Sequence, residues 1–174
     1  MKIQIITLFP NMFQEVLNTS MLLKAQKTNS VEFKIINLRD YGLNLRKNVD
    51  DRPYGGGLGM IIRIEPISDA IEAAKKNAID PKVILLSPRG KTFKQSIANQ
   101  MAKFEDLIFI CPHYEGYDER IVDLVDYVIS IGNFVVTGGE LPAMLVIDSI
   151  VRLLPGVLRS SGRVYCGYSM FLSL

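Results

Sequence analysis

The sequence predicts an α/β fold, a mainly parallel sheet flanked by helices. Short apolar runs rich in β-branched residues alternate along the chain with longer segments whose apolar residues recur at helical spacing. Three of the strand-like runs end in loops of unusual chemistry, at residues 87–90, 112–120 and 132–139. In parallel sheets ligands bind beyond the carboxyl ends of the strands, so these loops are expected to converge on one pocket. A chain of 174 residues, 48% hydrophobic and 22% charged, is long enough for one substantial core and has an ordinary globular composition.

Residues 2–9 form a buried strand closed by Pro10, and Asn11 is placed to cap a short helix carrying Met12, Phe13, Val16 and Leu17. Residues 31–36 read as a second strand and the polar stretch 38–48 as an exposed loop. From Asp50 the composition changes to DDRPYGGGLGM, whose four glycines and one proline within seven residues exclude regular structure. Residues 64–78 resume a helix, with Ile67, Ala70, Ile71 and Ala74 on one face. Residues 82–86 are a strand ending in the turn Ser87-Pro88-Arg89-Gly90, and Thr92 is positioned to cap a helix bearing Phe93, Ile97, Met101 and Phe104. Residues 107–111 form another buried strand, followed by PHYEGYDER and a short helical turn at 121–124. Residues 125–131 return to strand. The last helix spans 141–154 and is stopped by Pro155-Gly156.

The densest concentration of signals is residues 130–142, SIGNFVVTGGELP. Gly132, Gly138 and Gly139 leave backbone uncovered and open to close approach, and Pro142 sits just inside a helix start. Such a stretch suits a binding loop that grips a flat ligand with main-chain groups.

Charge and cysteine usage narrow the function classes. Residues 1–63 carry nine Lys or Arg against five Asp or Glu, a mildly basic half compatible with a polyanionic partner. No apolar run approaches membrane-spanning length, and MKIQIITLFP is too short and too quickly broken for a secretion signal, so the expected compartment is the cytoplasm without membrane association. Cys111 and Cys166 offer neither a metal site nor a disulfide framework. The run Gly55-Gly56-Gly57-Leu58-Gly59 lacks the Lys-Ser/Thr ending of a phosphate loop, and Met60 stands where a dinucleotide fingerprint needs its last glycine. The single histidine, His113, shows no paired nucleophile in the sequence, and a lone histidine is more often structural. The charged residues near the loops are Glu115, Asp118, Glu119, Arg120, Glu140, Asp148 and Arg152. Taken singly they read as helix caps or, for Asp148 and Arg152, as an i,i+4 pair. Beside a backbone-lined pocket, an acid suits a cationic ligand and an arginine suits charge developing on a substrate oxygen.

The motifs DDRPYGGGLGM, LSPRGK, YEGYDER, SIGNFVVTGGELPAM and RLLPGVL, in this order, resemble those of the bacterial tRNA (guanine-N1)-methyltransferases of the SPOUT superfamily. The resemblance runs over residues 1–158 and implies a domain whose C-terminal part is tied in a deep trefoil knot, a topology that general rules disfavour. It further implies a homodimer acting on tRNA, with methylation of the guanine just 3′ of the anticodon and S-adenosylmethionine as methyl donor. Carried over by motif, the cofactor pocket comprises Leu86, Ser87, Pro88, Glu115, Gly116, Ser130, Ile131, Gly132, Phe134, Val136, Gly138, Gly139 and Pro142, with Glu115 facing the cationic methionine end. Arg152 matches the arginine that stabilises charge on guanine O6. Asp50, Arg52, Tyr54, Gly55, Gly56 and Gly57 match the loop that holds tRNA and the target base. Family members also use magnesium in methyl transfer.

Residues 159–174, RSSGRVYCGYSMFLSL, depart from the resemblance. The family continues there into a linker with an Asp-Ser-Phe motif, whose aspartate is the base for guanine N1, and then into a helical tRNA-gripping domain. This stretch contains no Asp or Glu. The expectation is a chain that binds the cofactor and dimerises but methylates tRNA poorly, since general-base catalysis is worth about 10² to 10⁴-fold. Two alternatives stand beside it: a non-catalytic cofactor- or RNA-binding dimer, and a knotted methyltransferase acting on another RNA. A further departure is Pro112, where relatives carry glycine.

Overall fold

The computed structural model describes residues 1–53, 55–76 and 78–158. Tyr54, Cys166 and the tail at 159–174 lie outside the described residues. Five strands form a parallel sheet: β1 (Lys2–Thr7), β2 (Glu32–Asn37), β5 (Lys82–Thr92), β6 (Asp106–Ile110) and β8 (Tyr127–Ser130), in the order β2-β1-β6-β5-β8. Both faces are covered, as apolar parallel strands require. Side chains alternate between them: Ile3, Ile5, Ile84, Leu86, Leu107 and Phe109 enter one core, while Ile6, Val83, Leu85, Ile108 and Ile110 enter the other.

Helices α1 (Asn11–Leu17), α2 (Ser20–Lys27), α4 (Gln95–Met101) and α5 (Glu140–Val151) build the first face. On the second lies α3 (Ile64–Lys75), which buries Ile67, Ala70, Ile71 and Ala74, the stripe its sequence spacing predicts. Gln4 faces that helix from β1, fully buried, and donates from Nε2 to the Ala74 carbonyl at 2.8 Å.

Several elements differ from the sequence expectation. Pro10 rather than Asn11 occupies the cap position of α1, and α4 starts at Gln95 behind Lys94, so neither Asn11 nor Thr92 caps a helix. The stretch 38–48 opens with a 3-10 turn that buries Leu38 completely, because that residue completes the core beneath α3. The glycine-rich segment is flanked by two-residue strands, β3 (Asp50–Asp51) and β4 (Ile61–Ile62), paired antiparallel. A third short strand, β7 (Gly116–Tyr117), joins β4 in parallel. Residues 87–90 do not end β5: Leu86 and Lys91 both pair with Ile129, so Ser-Pro-Arg-Gly is looped out of a strand that then continues to Thr92. A Cβ on Gly90 would lie 2.6 Å from the backbone of Val128 and Ile129, so only glycine lets the loop cross β8.

Candidate ligand-binding cleft

The carboxyl ends of three neighbouring strands, β6, β5 and β8, open into a cleft of about 660 Å³ counting the part open to solvent, a volume within the usual range for small-ligand sites. At the β5 side, Ser87 is buried, and its hydroxyl accepts from Tyr117 Oη at 3.0 Å and from the Arg89 amide at 3.4 Å. The Arg89 guanidinium lies 5.6 Å from the Tyr117 ring centre and pairs with Glu119 at 2.8 Å, which raises its pKa. Both partners of that pair are two-thirds exposed, so it adds little stability.

At the β6 side, the last ladder bond runs from the Cys111 amide to Ile6 O at 3.0 Å. Pro112 follows directly, where its missing donor breaks no ladder, and its carbonyl accepts from Gly139 N at 2.7 Å. The loop geometry there is thus compatible with proline. Burial, and then the charge of Glu140, push the Cys111 thiol well above its ordinary range, so it is no nucleophile. The Glu115 amide bonds to Met60 O at 3.1 Å. Gly59, at φ +83°, packs so tightly on Glu115 that a Cβ would lie 2.2 Å from its Cγ. The glycine-rich hairpin is in this way fastened to one lip of the cleft.

At the β8 side, Ser130 Oγ donates to Gly132 O at 3.0 Å and accepts from Gly132 N at 3.2 Å, closing a tight turn. Gly132 has φ +151° and carries the Phe134 ring against it. Gly138 and Gly139 need no positive φ; Gly139 presses on the backbone just past β6, and Gly138 on the side chains of Glu140 and His113. A Cβ on Gly139 would meet Cys111 Cα at 2.7 Å, and one on Gly138 would meet both Glu140 Oε2 and His113 Nδ1 at 2.4 Å.

Leu86, Ser87, Pro88, Glu115, Gly116, Ser130, Ile131, Phe134, Val136, Gly138, Gly139 and Pro142 all line this cleft. Gly132 shapes the turn beneath Phe134 without lining it. Sequence reading missed Pro112, His113, Tyr114, Tyr117, Ile129, Val135 and Thr137 as lining residues; for His113 and Tyr114 the signal was their adjacency to Glu115. Asp50, Arg52, Gly55, Gly56 and Gly57 lie on the hairpin, outside the cleft lining. Gly55 and Gly56, at φ +82° and +85°, are open to solvent with nothing within 4 Å of a Cβ. Arg152 follows α5, about 15 Å of helix rise from Pro142, and does not line the cleft. The ion pair expected with Asp148 is not made; only the backbone bond from Arg152 N to Asp148 O, at 3.3 Å, links the two. Asp118 does cap the 3-10 turn Glu119–Leu124, accepting from Arg120 N at 3.0 Å.

The molecule is a parallel α/β domain whose adjacent strand ends enclose a cleft walled by glycines and apolar groups, the place where proteins of this class bind small ligands. Comparison with known proteins narrows the class. The family described as tRNA (Guanine-1)-methyltransferase TrmD matches residues 1–164, six residues past Leu158. The chain is 56% identical over 160 residues to a tRNA (guanine-N(1)-)-methyltransferase of Bacillus subtilis (strain 168), covering 91% of this chain and 66% of that protein. It is 51% identical over 158 residues to the protein of the same description from Malacoplasma penetrans (strain HF-2), covering 91% of this chain and 69% of that one. The crystal structure of tRNA (m1G37) methyltransferase from Aquifex aeolicus superposes with a TM-score of 0.86 at 37% identity, over 95% of this chain and 75% of that one. The chain belongs to the tRNA (guanine-1)-methyltransferase family. It spans about two thirds of the length of the curated relatives it matches.

Proposed function

We propose that the chain binds S-adenosylmethionine in the cleft and, as a knotted homodimer acting on tRNA in the cytoplasm, carries the donor half of N1-methylation of the guanine just 3′ of the anticodon. The observation that carries this reading is the convergence, on one cleft, of all but one of the cofactor residues named by motif. The residues fit such a ligand. Leu86, Ile131, Val136 and Pro142 offer an apolar slot for a flat ring, and Glu115 offers a carboxylate for a cationic end. The bound cofactor supplies a methyl group made electrophilic by its sulfonium. The chain's own residues orient it, screen it from water and present main-chain groups that cost no reorganisation.

The hairpin bearing Asp50, Arg52 and Gly55 to Gly57, fastened to the cleft through Gly59 and Glu115, is the surface proposed to hold the target base. Arg152 stabilises charge on guanine O6 in this reading. Because it stands a helix length away from the cleft, that role depends on how two subunits assemble. Support for the dimer comes from exposed apolar residues: Phe9, Met12 and Leu141 line one depression, and Val16 and Leu145 are exposed one turn further along α1 and α5. Among the described residues no three His, Cys, Asp or Glu side chains are grouped as metal ligands. A magnesium ion used in methyl transfer would therefore be held chiefly by water and substrate oxygens rather than by a cage of protein side chains. Among the described residues no helix is long and apolar enough to cross a membrane.

Residues 159–174 contain no Asp or Glu side chain to accept the N1 proton, and a polypeptide of these 174 residues alone is proposed to transfer methyl groups slowly. Calorimetry with S-adenosylmethionine, followed by transfer of labelled methyl to unmodified tRNA, tests both halves. Failure to bind the cofactor refutes the reading of the cleft. Turnover equal to that of the Bacillus subtilis relative refutes the slow transfer. Binding of both ligands with no transfer at all favours the second reading, a non-catalytic cofactor- and RNA-binding dimer, which the lack of Asp and Glu in residues 159–174 supports.

A further inference from the structure

Behind the glycine wall of the cleft lies a group of side chains that the proposed reaction does not use. Glu140, the first residue of α5, is only 2% exposed. Its Oε1 accepts from Thr7 Oγ1 at 2.9 Å, and Thr7, the last residue of β1, is fully buried. The Thr7 hydroxyl also accepts from Phe9 N at 2.9 Å, so its oxygen is fixed and its proton points at Glu140. The other carboxylate oxygen, Oε2, lies 3.5 Å from His113 Nδ1. That nitrogen is buried and makes no hydrogen bond, while the rest of the ring reaches the cleft. Phe9 and Tyr114 meet the ring edge-on at 4.7 and 5.7 Å, and Cys111, the nearby thiol, is held neutral.

A carboxylate taken out of water needs donors around it. Thr7 provides one, and the amide field at the start of α5 favours negative charge there. The next donor within reach is a proton on His113 Nδ1, at ion-pair distance. Gly138 makes the approach possible, because a Cβ at that position would lie 2.4 Å from both Oε2 and Nδ1.

We propose that Thr7 and Glu140 are positioning residues of the cleft: the carboxylate, oriented by Thr7, keeps a proton on His113 Nδ1, fixes which edge of the imidazole meets the ligand and pins the 138–139 wall to the end of β6. Three distant parts of the chain are joined this way, so the site's shape is set by a polar lock rather than by loop packing alone. The functional half of this inference rests on the cleft being the S-adenosylmethionine site; the structural half does not.

The chain has one histidine, so imidazole ¹⁵N shifts of the untagged, ligand-free protein report this ring alone. The expected spectrum shows Nδ1 protonated. In Glu140→Gln, Thr7 retains the amide oxygen and the amide NH2 faces the ring, so the proton moves to Nε2, and the Kd for S-adenosylmethionine rises about tenfold. Thr7→Val weakens binding in the same direction, and Thr7→Ser, which keeps the hydroxyl, restores it; thermal melts establish that each variant is folded. An unprotonated Nδ1 in the wild type overturns the proposal. So does a Glu140→Gln variant with unchanged tautomer and unchanged affinity. If Glu140→Gln does not fold, the wild-type spectrum and the Thr7 pair still decide. If the wild type binds no S-adenosylmethionine, the cofactor reading falls, while the tautomer alone decides the lock.

Discussion

Replacing Gly138 by alanine adds a single methyl group at the most crowded point of the cleft wall. Its Cβ would lie 2.4 Å from Glu140 Oε2 and from His113 Nδ1, about 1 Å inside ordinary contact on two sides. Neither neighbour is the free end of a flexible chain. Glu140 is 2% exposed and tied to Thr7, and His113 is wedged between Phe9 and Tyr114. Backbone strain contributes nothing, because Gly138 does not have a positive φ. The cost is therefore one of overpacking, about 1–3 kcal/mol, with loss of a charged hydrogen bond at the upper end if Glu140 yields. For a chain of this size, about 2–3 kcal/mol corresponds to a fall of roughly 4–12 °C in Tm. Thermal denaturation reads that term, and calorimetry with S-adenosylmethionine reads the displaced wall as a rise in Kd of about tenfold or more. Gly55→Ala is the control: nothing lies within 4 Å of its Cβ and only its φ of +82° resists, so it costs about 1 kcal/mol and leaves the cleft intact. A Gly138→Ala variant with wild-type Tm and wild-type affinity refutes the reasoning.

Gly59→Ala turns the Glu115 side chain away from its place at the lip; since Glu115 is exposed and can rotate, cofactor Kd rises several-fold while Tm falls by only a few degrees, as calorimetry and melting measure. Leu145→Asp charges the exposed apolar strip of α5, and sedimentation is expected to show monomers in place of dimers with the circular dichroism spectrum unchanged. The hydrogen bond from Arg120 holds the Asp118 carboxyl below its ordinary range. A depressed folded-state pKa gives stability that is present above the ordinary aspartate value of about 3.9 and lost as pH falls through the folded one. Urea midpoints of wild type and Asp118→Ala should differ at pH 7 and converge in acid. Cys111, buried and held neutral, should resist thiol reagents in the native protein and react once it is unfolded, provided Cys166 is first replaced by serine.

The parts of the fold that were legible in sequence are those whose signal is periodic and local. The short β-branched apolar runs of β1, β5 and β6 and the four-residue stripe of α3 read as buried elements, and the structure buries them. What escaped depends on partners far along the chain. Ser-Pro-Arg-Gly has the composition of a terminating turn, yet β8 captures Lys91 and Thr92 and extends β5 beyond it. The pairing of β4 with β7 involves two residues on each side, too few to show any period. At the cleft the glycines were visible, but their reasons differ. Gly132 is there for its φ, whereas Gly139 is there because Cys111 and Pro112 leave no room and Gly138 because His113 and the turned-back Glu140 leave none, contacts that local composition does not reveal. The same holds for Thr7, Glu140 and His113: a lone histidine read as structural, an acid at a helix start and a threonine at a strand end become one group only when the sheet is assembled.

The order β2-β1-β6-β5-β8 also governs when the molecule can come into being. Every ladder in this sheet is parallel, so no pair can form as a simple hairpin. The pairing of β1 with β6 joins residues such as Ile3 and Leu107, and closing so long an intervening loop before any reward is gained is slow. A nascent chain emerging from the ribosome can hold β1 beside β2 but must wait for residue 110 before the centre of the sheet exists, and for residue 142 before the cleft has its third side. Until then apolar β1 and β6 have unpaired edges, the state in which association with other chains competes with folding. The binding site therefore forms only after the centre of the sheet is in place, and its appearance, followed by ligand protection during refolding, would time that assembly.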